Sequence, residues 1–203
     1  MRQIALPLTP AGSGAPRIVV GSANAAAVEA LCDPSHWPFR TAVLSGPPRS
    51  GKSLLGRWFE QSGGGAVLDN ADRLPEADVF HRWNRAQETR QPLLVIADAA
   101  PGGWRIALPD LASRLGAALH LAIGTPDDAM MAELIELHAE MRGLVLDPAA
   151  AAYLVPRCER SHVSAERLVQ AIDRLSLERK AAPTLSIWRE ALNETKEAAG
   201  NGT

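Results

Sequence analysis

A glycine-rich stretch at residues 46–53 has the spacing of a phosphate-binding loop. Gly46 and Gly51 bracket four other residues, and Lys52 and Ser53 follow directly. Such a loop turns backbone N–H groups toward phosphate oxygens, while its lysine neutralises them and its hydroxyl binds Mg²⁺. An apolar run precedes the stretch and a helical pattern follows it, which favours a nucleotide site over a chance glycine turn. The predicted loop contacts are Gly46, Pro47, Pro48, Arg49, Ser50, Gly51, Lys52, Ser53 and Leu54.

Two aspartates that follow apolar runs are candidates for the carboxylate that a phosphate-bound Mg²⁺ needs. Their order in the chain favours Asp69, so Ser53 and Asp69 are the predicted metal ligands; a turn-forming aspartate is the alternative for Asp69. Asp98 is an alternative candidate, which could be a second contact to magnesium or to water. Asn70 stands where many ATPases carry the carboxylate that polarises the attacking water. We therefore expect weak or absent hydrolysis at the chain's own site.

The segment Leu108–Leu115 places an arginine, Arg114, on a short predicted helix where it can point at another subunit. From these residues alone, a solvated surface charge is the commoner explanation of such an arginine. The five tryptophans are scattered, which predicts packing, and the five histidines lack metal-ligand spacing.

Apolar runs alternate with helical patterns in the first part of the chain, which predicts a parallel α/β sheet. The predicted strands are residues 41–45, 66–68, 93–97 and 119–123. Only helical periodicity follows, at residues 127–142, 147–158, 164–179 and 184–196. The predicted organisation is a flexible tail at 1–16, a base at 17–126, an all-α lid at 127–197 and a disordered tail at 198–203.

The composition is that of an ordinary folded protein, with 46% hydrophobic residues and a formal net charge of −2 over 203 residues. This balance disfavours a nucleic acid as the main partner. Cys32 and Cys158 are too far apart for a CxxC site, and no apolar run is long enough to cross a membrane. These features indicate a reducing cytoplasm.

Several segments together resemble the Hda family of DnaA-related AAA+ regulators. Residues 3–8 look like the family's sliding-clamp-binding motif, and 19–24 like the segment that approaches the adenine. Residues 108–115 look like its arginine-finger box. Met141–Leu144 and Ala171–Leu175 resemble its lid helices.

This resemblance implies a set of partners and contacts. The clamp-binding residues would be Gln3, Ile4, Leu6, Pro7 and Leu8. ADP or ATP with Mg²⁺ would also contact Ile18, Val19, Asp69 and Asn70. The implied protein partners are DnaA, whose ATP Arg114 would approach, and the sliding clamp, the beta subunit of DNA polymerase III. A homodimer is a further arrangement open to the chain.

The chain departs from the family pattern in ways that predict structural differences. The interval from Lys52 to Asp69 is too short for the usual extra strand and helix, so we expect a trimmed sheet of four strands. Glu166 stands where the family has a sensor arginine, with Arg167 beside it, and Ala97 stands where a polar sensor residue is common. These departures add to the expectation of weak hydrolysis.

Three functions follow from these observations. The first is a negative regulator of replication initiation that binds the clamp and stimulates ATP hydrolysis by DnaA. The second is a stand-alone P-loop NTPase or small-molecule kinase, for which no catalytic base is evident. The third is a DNA-anchoring DnaA relative, which the charge and the lack of a basic recognition helix disfavour, so we expect no sequence-specific DNA binding.

Overall fold

The computed structural model describes residues 17–100 and 102–200 of the chain. These residues form two compact units, the first ending at Gly124 and the second beginning at Thr125. The predicted clamp-binding residues Gln3, Ile4, Leu6, Pro7 and Leu8 lie outside the described residues.

The first unit is built on a four-stranded parallel sheet with the strand order β2–β3–β1–β4. The strands are β1 (Thr41–Ser45), β2 (Ala66–Leu68), β3 (Leu93–Ala97) and β4 (Leu119–Ala122). The helices of this unit are α1 (Ala25–Cys32), α2 (Lys52–Gln61), α3 (Glu76–Thr89) and α4 (Pro109–Gly116). The prediction of a trimmed, four-stranded parallel sheet is confirmed.

Helices cover both faces of this sheet. Every residue of β1 and β3 is buried, as expected where a parallel sheet lies between two helical layers. One core contains Ala42 and Leu44 of β1 with residues of α1 and α2, and the rings of Trp37 and Phe59 stack there at 5.2 Å. The other core contains Val43 with residues of α3 and α4. The alternation along β1 thus assigns the helices to two layers.

The register of the sheet fixes the position of the phosphate-binding loop. Ser45, the last residue of β1, pairs with Ala97 of β3 and with Ala122 of β4. The loop therefore begins between the carboxyl ends of two neighbouring strands. Ligands of open α/β sheets bind in such a crevice, where the strand order reverses.

Among the residues that the structure describes, the regular elements of the second unit are all helices, as the sequence predicts. They are α5 (Asp128–Glu140), α6 (Pro148–Leu154), α7 (His162–Arg179) and α8 (Leu185–Gly200). Side chains cap the starts of three of these helices: Asp127 accepts from the N–H of Met130, Asp147 from that of Ala149 and Ser161 from that of Ser164. Helix α8 continues three residues past the predicted end of the lid at 197.

Helices α7 and α8 of the second unit are joined by buried apolar residues and by surface ion pairs. Leu168, Ile172 and Ala191 are fully buried. On the surface, Arg174 contacts Glu194 and Arg179 contacts Glu190, which links the two helices. The carboxylates of Glu194 and Glu178 raise the pKa of Arg174 further above its usual range. Across the described residues, no helix is both long and apolar enough to span a membrane.

Candidate nucleotide site and arginine cluster

The loop between β1 and α2 has the backbone shape of a phosphate cradle. Arg49 and Gly51 both adopt positive φ angles, of 61° and 88°. A left-handed residue next to right-handed ones turns consecutive N–H groups to one side, which creates an anion-binding concavity. At Gly46, an added Cβ would lie 3.0 Å from Cβ of Ile123. The backbone there thus approaches the chain after β4 so closely that an added side chain would require Ile123 to shift by a few tenths of an ångström.

A buried hydroxyl lies inside this loop. Ser50 is 3% exposed, and its Oγ atom has no hydrogen-bond partner among the described residues. Buried polar groups in proteins are almost always paired, so an unpaired one calls for an explanation such as a bound water, an ion or a functional role. The orphaned hydroxyl therefore fits a loop that receives a polar ligand. The neighbouring Pro47, Pro48 and Arg49 are exposed, and Leu54 packs against the core behind the loop.

Lys52, the first residue of α2, is the best-connected side chain of the loop. Its Nζ atom donates to the carbonyl oxygens of Gly46 and Pro47 at 2.7 and 2.8 Å, and lies 3.1 Å from Oδ1 of Asp98. Its side chain is only 8% exposed. An ammonium group has as many N–H donors as these three partners, so a phosphate must displace one of them to contact Lys52.

Asp98 follows β3 and faces the lysine from the neighbouring strand. Its other oxygen, Oδ2, accepts from Arg73 at 2.5 Å. The hydrogen bond from Lys52, and after it the one from Arg73, holds the pKa of Asp98 below its ordinary value. The backbone N–H of Asp98 donates to Asp72, whose second oxygen is buried without a partner among the described residues. Of the two aspartates considered from the sequence, Asp98 is therefore the one in contact with Lys52.

Asp69 and Asn70 lie at the far edge of the sheet. Asp69 follows β2, and β3 separates that strand from β1. Its carboxylate accepts from the N–H of Asn70, which adopts a left-handed conformation with φ 53°. No contact between Asp69 and Lys52 occurs in the part of the chain that the structure describes. The magnesium assignment of Asp69 with the half-buried Ser53 stays a prediction.

The segment predicted to approach the adenine is tightly built. Ile18 and Val19 are each 6% exposed, and Ile18 belongs to the core beside α1. The buried Asn24 donates to the carbonyl of Val19 and accepts from the N–H of Gly21. These two hydrogen bonds stabilise the turn between Val19 and Asn24. The side chains of Ile18 and Val19 are therefore turned into the core, and their contact with a nucleotide stays a prediction.

Arg114 is held by the face of a neighbouring helix. Its guanidinium lies 4.6 Å from the ring centre of Phe80 and 4.3 Å from that of Trp83. One Nη atom donates to Oδ1 of Asn84 at 2.5 Å, and the other lies 3.3 Å from Asp110. We call Arg114 with Phe80, Trp83 and Asn84 the arginine cluster. The sequence-based predictions missed its three α3 members, although their i, i+3, i+4 spacing was a visible signal.

The carboxylate of Glu76 fixes where α4 begins. It lies in the first turn of α3, and its two oxygens accept from the backbone N–H groups of Ala107 and Leu108 at 2.7 and 2.8 Å. Because Leu108 directly precedes α4, these two bonds anchor the start of the arginine-bearing helix to α3. This residue was also missed from the sequence.

Ala97 and Glu166, which differ from the family's pattern at its sensor positions, lie in different units. Ala97 is buried at the end of β3, and the adjacent Asp98 supplies the polar group there. Glu166 lies in α7 of the second unit and accepts from Gln170 at 3.2 Å.

Sequence comparisons match part of the chain to known proteins. Residues 127–192 match the family described as Hda, lid domain. An "Uncharacterized protein" of Haemophilus influenzae is 28% identical over 119 residues, which make up 58% of this chain and 52% of that protein. The chain thus matches about half the length of this curated relative.

Solved structures share the fold at low sequence identity. Domain III of the Thermotoga maritima replication initiation protein DnaA has a TM-score of 0.73 at 14% identity, covering 88% of this chain and 94% of that chain. AMPPCP-bound DnaA from Aquifex aeolicus has a TM-score of 0.61 at 19% identity, covering 80% of this chain and 66% of that chain. The Thermotoga maritima RuvB Holliday junction branch migration motor has a TM-score of 0.56 at 18% identity, covering 75% of this chain and 61% of that chain.

The P-loop, the parallel sheet and the helical second unit together give the fold class of AAA+ nucleotide-binding domains. Within that class, the match of residues 127–192 to the Hda lid and the likeness to DnaA domain III support an Hda- and DnaA-related protein. The resemblance stated from the sequence is thereby confirmed.

Proposed function

We propose that this protein is a negative regulator of DNA replication initiation that stimulates ATP hydrolysis by DnaA. It binds adenine nucleotide with Mg²⁺ in its own P-loop and supplies Arg114 to the ATP site of a DnaA molecule. It is tethered to the sliding clamp through Gln3–Leu8 and works in the cytoplasm. The observation that carries this proposal is the arginine cluster, together with the Hda-type lid.

The geometry of Arg114 supports a contact in trans. Its guanidinium has more N–H donors than its bonds to Asn84 and Asp110 use, and the side chain is 29% exposed. The remaining donors are available for phosphate oxygens. An arginine that reaches a transferring phosphoryl group stabilises the charge that spreads over its oxygens, which accelerates hydrolysis by about 10³- to 10⁵-fold.

The contacts of the chain's own P-loop support nucleotide binding with little hydrolysis. The cradle and Lys52 can hold phosphates, and the solved relative from Aquifex aeolicus carries the ATP analogue AMPPCP. Asn70 offers an amide where a water-polarising carboxylate is common. Asp98, the carboxylate nearest the loop lysine, already binds Lys52 and Arg73. We infer that the nucleotide here serves to stabilise the base.

The proposal is tested by ATP hydrolysis in DnaA, measured with the clamp loaded on DNA. Wild-type protein should accelerate phosphate release, and Arg114→Ala should reduce this acceleration by at least about 100-fold because the phosphoryl charge loses its partner. The double change of Gln3 and Leu6 to alanine should reduce both retention on the clamp and the acceleration.

Retention on the clamp serves as the internal control for Arg114→Ala, which should bind the clamp as the wild type does. Unchanged phosphate release with Arg114→Ala would defeat the arginine assignment. Equal clamp retention by the wild type and the Gln3, Leu6 variant would defeat the tether. Rapid turnover of ATP by this protein alone would favour the stand-alone NTPase instead.

A further inference from the structure

A second cation lies beside the lysine of the phosphate-binding loop, on the other oxygen of Asp98. Oδ1 of Asp98 is 3.1 Å from Nζ of Lys52, and Oδ2 accepts from Nη2 of Arg73 at 2.5 Å. Because both oxygens belong to one carboxylate, little more than that carboxylate separates the ammonium group from the guanidinium group. The function proposed above uses Lys52 but assigns no role to Arg73.

The backbone of Arg73 is fixed near the carboxyl end of β3. Arg73 is the last residue of a short 3₁₀ turn, Ala71–Arg73, that follows β2, and Ala71 is fully buried. In the same turn, Asp72 accepts a hydrogen bond from the backbone N–H of Asp98 at 3.0 Å. Two consecutive residues of the turn therefore bind Asp98, one through its backbone and the other through its side chain. The Arg73 side chain thus starts from a fixed point close to the phosphate-binding loop.

The three charged side chains differ in their exposure to water. The side chain of Lys52 is 8% exposed, that of Asp98 31% and that of Arg73 67%. The guanidinium uses one Nη atom on Asp98, and its other N–H groups make no hydrogen bond to the part of the chain that the structure describes. Arg73 is therefore the most accessible of the three charges and has donors to spare for a ligand.

We infer that Arg73, together with Lys52, contacts the phosphates of a nucleoside triphosphate bound in the chain's own P-loop. This inference rests on the nucleotide binding proposed above and adds a second cation to that site. Asp98 is the partner of both cations in the contacts described here, and a bound triphosphate replaces it as the partner of each. Arg73 thus acts on the nucleotide of its own chain, whereas Arg114 is proposed to act on that of DnaA.

The chemistry of the guanidinium fits this exchange of partners. A planar guanidinium presents paired N–H groups that match two oxygens of a phosphate as well as those of a carboxylate. A triphosphate carries several negative charges, whereas Asp98 carries one, so the phosphates are the stronger partner for a cation. Because its side chain is exposed, Arg73 can turn from one partner to the other while the bond from Asp98 to Asp72 holds its backbone in place.

Calorimetric titration with the ATP analogue AMPPCP and Mg²⁺ tests the contact. Arg73→Ala should weaken binding by about 10-fold or more, because a charge-assisted hydrogen bond to a phosphate is lost. Arg73→Lys keeps a cation and should bind more tightly than Arg73→Ala. Arg85→Ala is the matched control, since it removes an exposed arginine near the end of α3 that leads to the start of β3. Equal affinities of Arg73→Ala and the wild type would overturn the inference.

A second comparison separates a phosphate contact from simple neutralisation of Asp98. The titration is repeated with Arg73→Ala in an Asp98→Asn background. If Arg73 contacts the phosphates, its loss should still weaken binding by about 10-fold. If Arg73 only offsets the charge of Asp98, its loss should have no effect once that charge is gone, and the inference is overturned. For variants of reduced stability, the rise in Tm on adding AMPPCP gives the same comparison, because this rise depends on the affinity.

Lys52→Ala separates this inference from the function on which it rests. If Lys52→Ala weakens AMPPCP binding and Arg73→Ala does not, nucleotide binding by the P-loop stands and the role of Arg73 is overturned. If the wild type does not bind AMPPCP, the nucleotide-binding part of the proposed function fails, and the inference fails with it. Stimulation of DnaA through Arg114 is measured independently of both.

Discussion

At the scale of single residues, the ion pair between Lys52 and Asp98 decides how the phosphate site behaves without a ligand. The lysine side chain is nearly inaccessible to water, so its charge needs a partner close by. Asp98 supplies that partner while remaining 31% exposed itself. A buried cation that loses its partner is strongly destabilising. The pair thus stabilises the loop and competes with a phosphate for the same ammonium group.

This pair gives the stability a defined pH dependence. The pKa of Asp98 is below its ordinary value of 3.8 in the folded protein, so the carboxylate contributes stability above about pH 4 and loses it as the pH falls further. We expect Asp98→Asn to be less stable than the wild type at pH 7, with the difference shrinking below about pH 4. Urea unfolding of both proteins from neutral pH down through this range measures it. A difference that does not depend on pH would contradict the ion pair.

At the scale of elements, the relation of α4 to α3 determines where Arg114 lies. Apolar residues of both helices share one core, but apolar contacts alone do not fix how far α4 lies along α3. The bidentate carboxylate of Glu76 fixes the start of α4 by binding two consecutive N–H groups. Arg114 then lies opposite the three aromatic and amide side chains of the cluster.

Removing this anchor should therefore affect both stability and function. We expect Glu76→Ala to lower the free energy of unfolding by about 1 to 2 kcal/mol, because two charge-assisted hydrogen bonds at the surface are lost. The stimulation of DnaA should fall as well, since Arg114 is displaced. Urea unfolding and phosphate release are the measurements.

Asp78→Ala is the matched control for Glu76→Ala. Asp78 is an exposed acidic residue in the same first turn of α3, so its loss removes only a favourable charge at the start of the helix. Glu76→Gln, which keeps one strong acceptor oxygen, should lose less stability than Glu76→Ala. Equal losses of stability and of stimulation in Glu76→Ala and Asp78→Ala would show that Glu76 does not anchor α4.

At the scale of the whole molecule, the structural features that depend on residues close together in the sequence could be predicted. Residues 41–45, 66–68 and 93–97 are strands as predicted, because each is a short apolar run bounded by turn formers. The lid helices follow their periodicity and their capping residues. The short interval before Asp69 also predicted the trimmed sheet correctly.

Contacts between distant segments could not be predicted in the same way. The order of the strands decides that Asp98, rather than Asp69, lies beside Lys52, and strand order is not encoded in local spacing. The arginine cluster joins residues 30 or more positions apart, such as Asn84 and Arg114. The spacing of these side chains within α3 was visible in the sequence, but their contact with Arg114 was not. These contacts depend on how two layers pack, which becomes evident only in three dimensions.

In the function proposed above, Arg114 promotes hydrolysis of a nucleotide bound to another protein and not of the one bound to its own chain. Single-turnover hydrolysis distinguishes the two nucleotides: it is measured with γ-labelled ATP bound to DnaA and unlabelled ADP bound to this protein, and repeated with the labelled ATP on this protein instead. We expect rapid release of label from DnaA, loss of this release with Arg114→Ala, and persistence of the label on this protein. Faster release from this protein than from DnaA, or release from DnaA that is unaffected by Arg114→Ala, would contradict it.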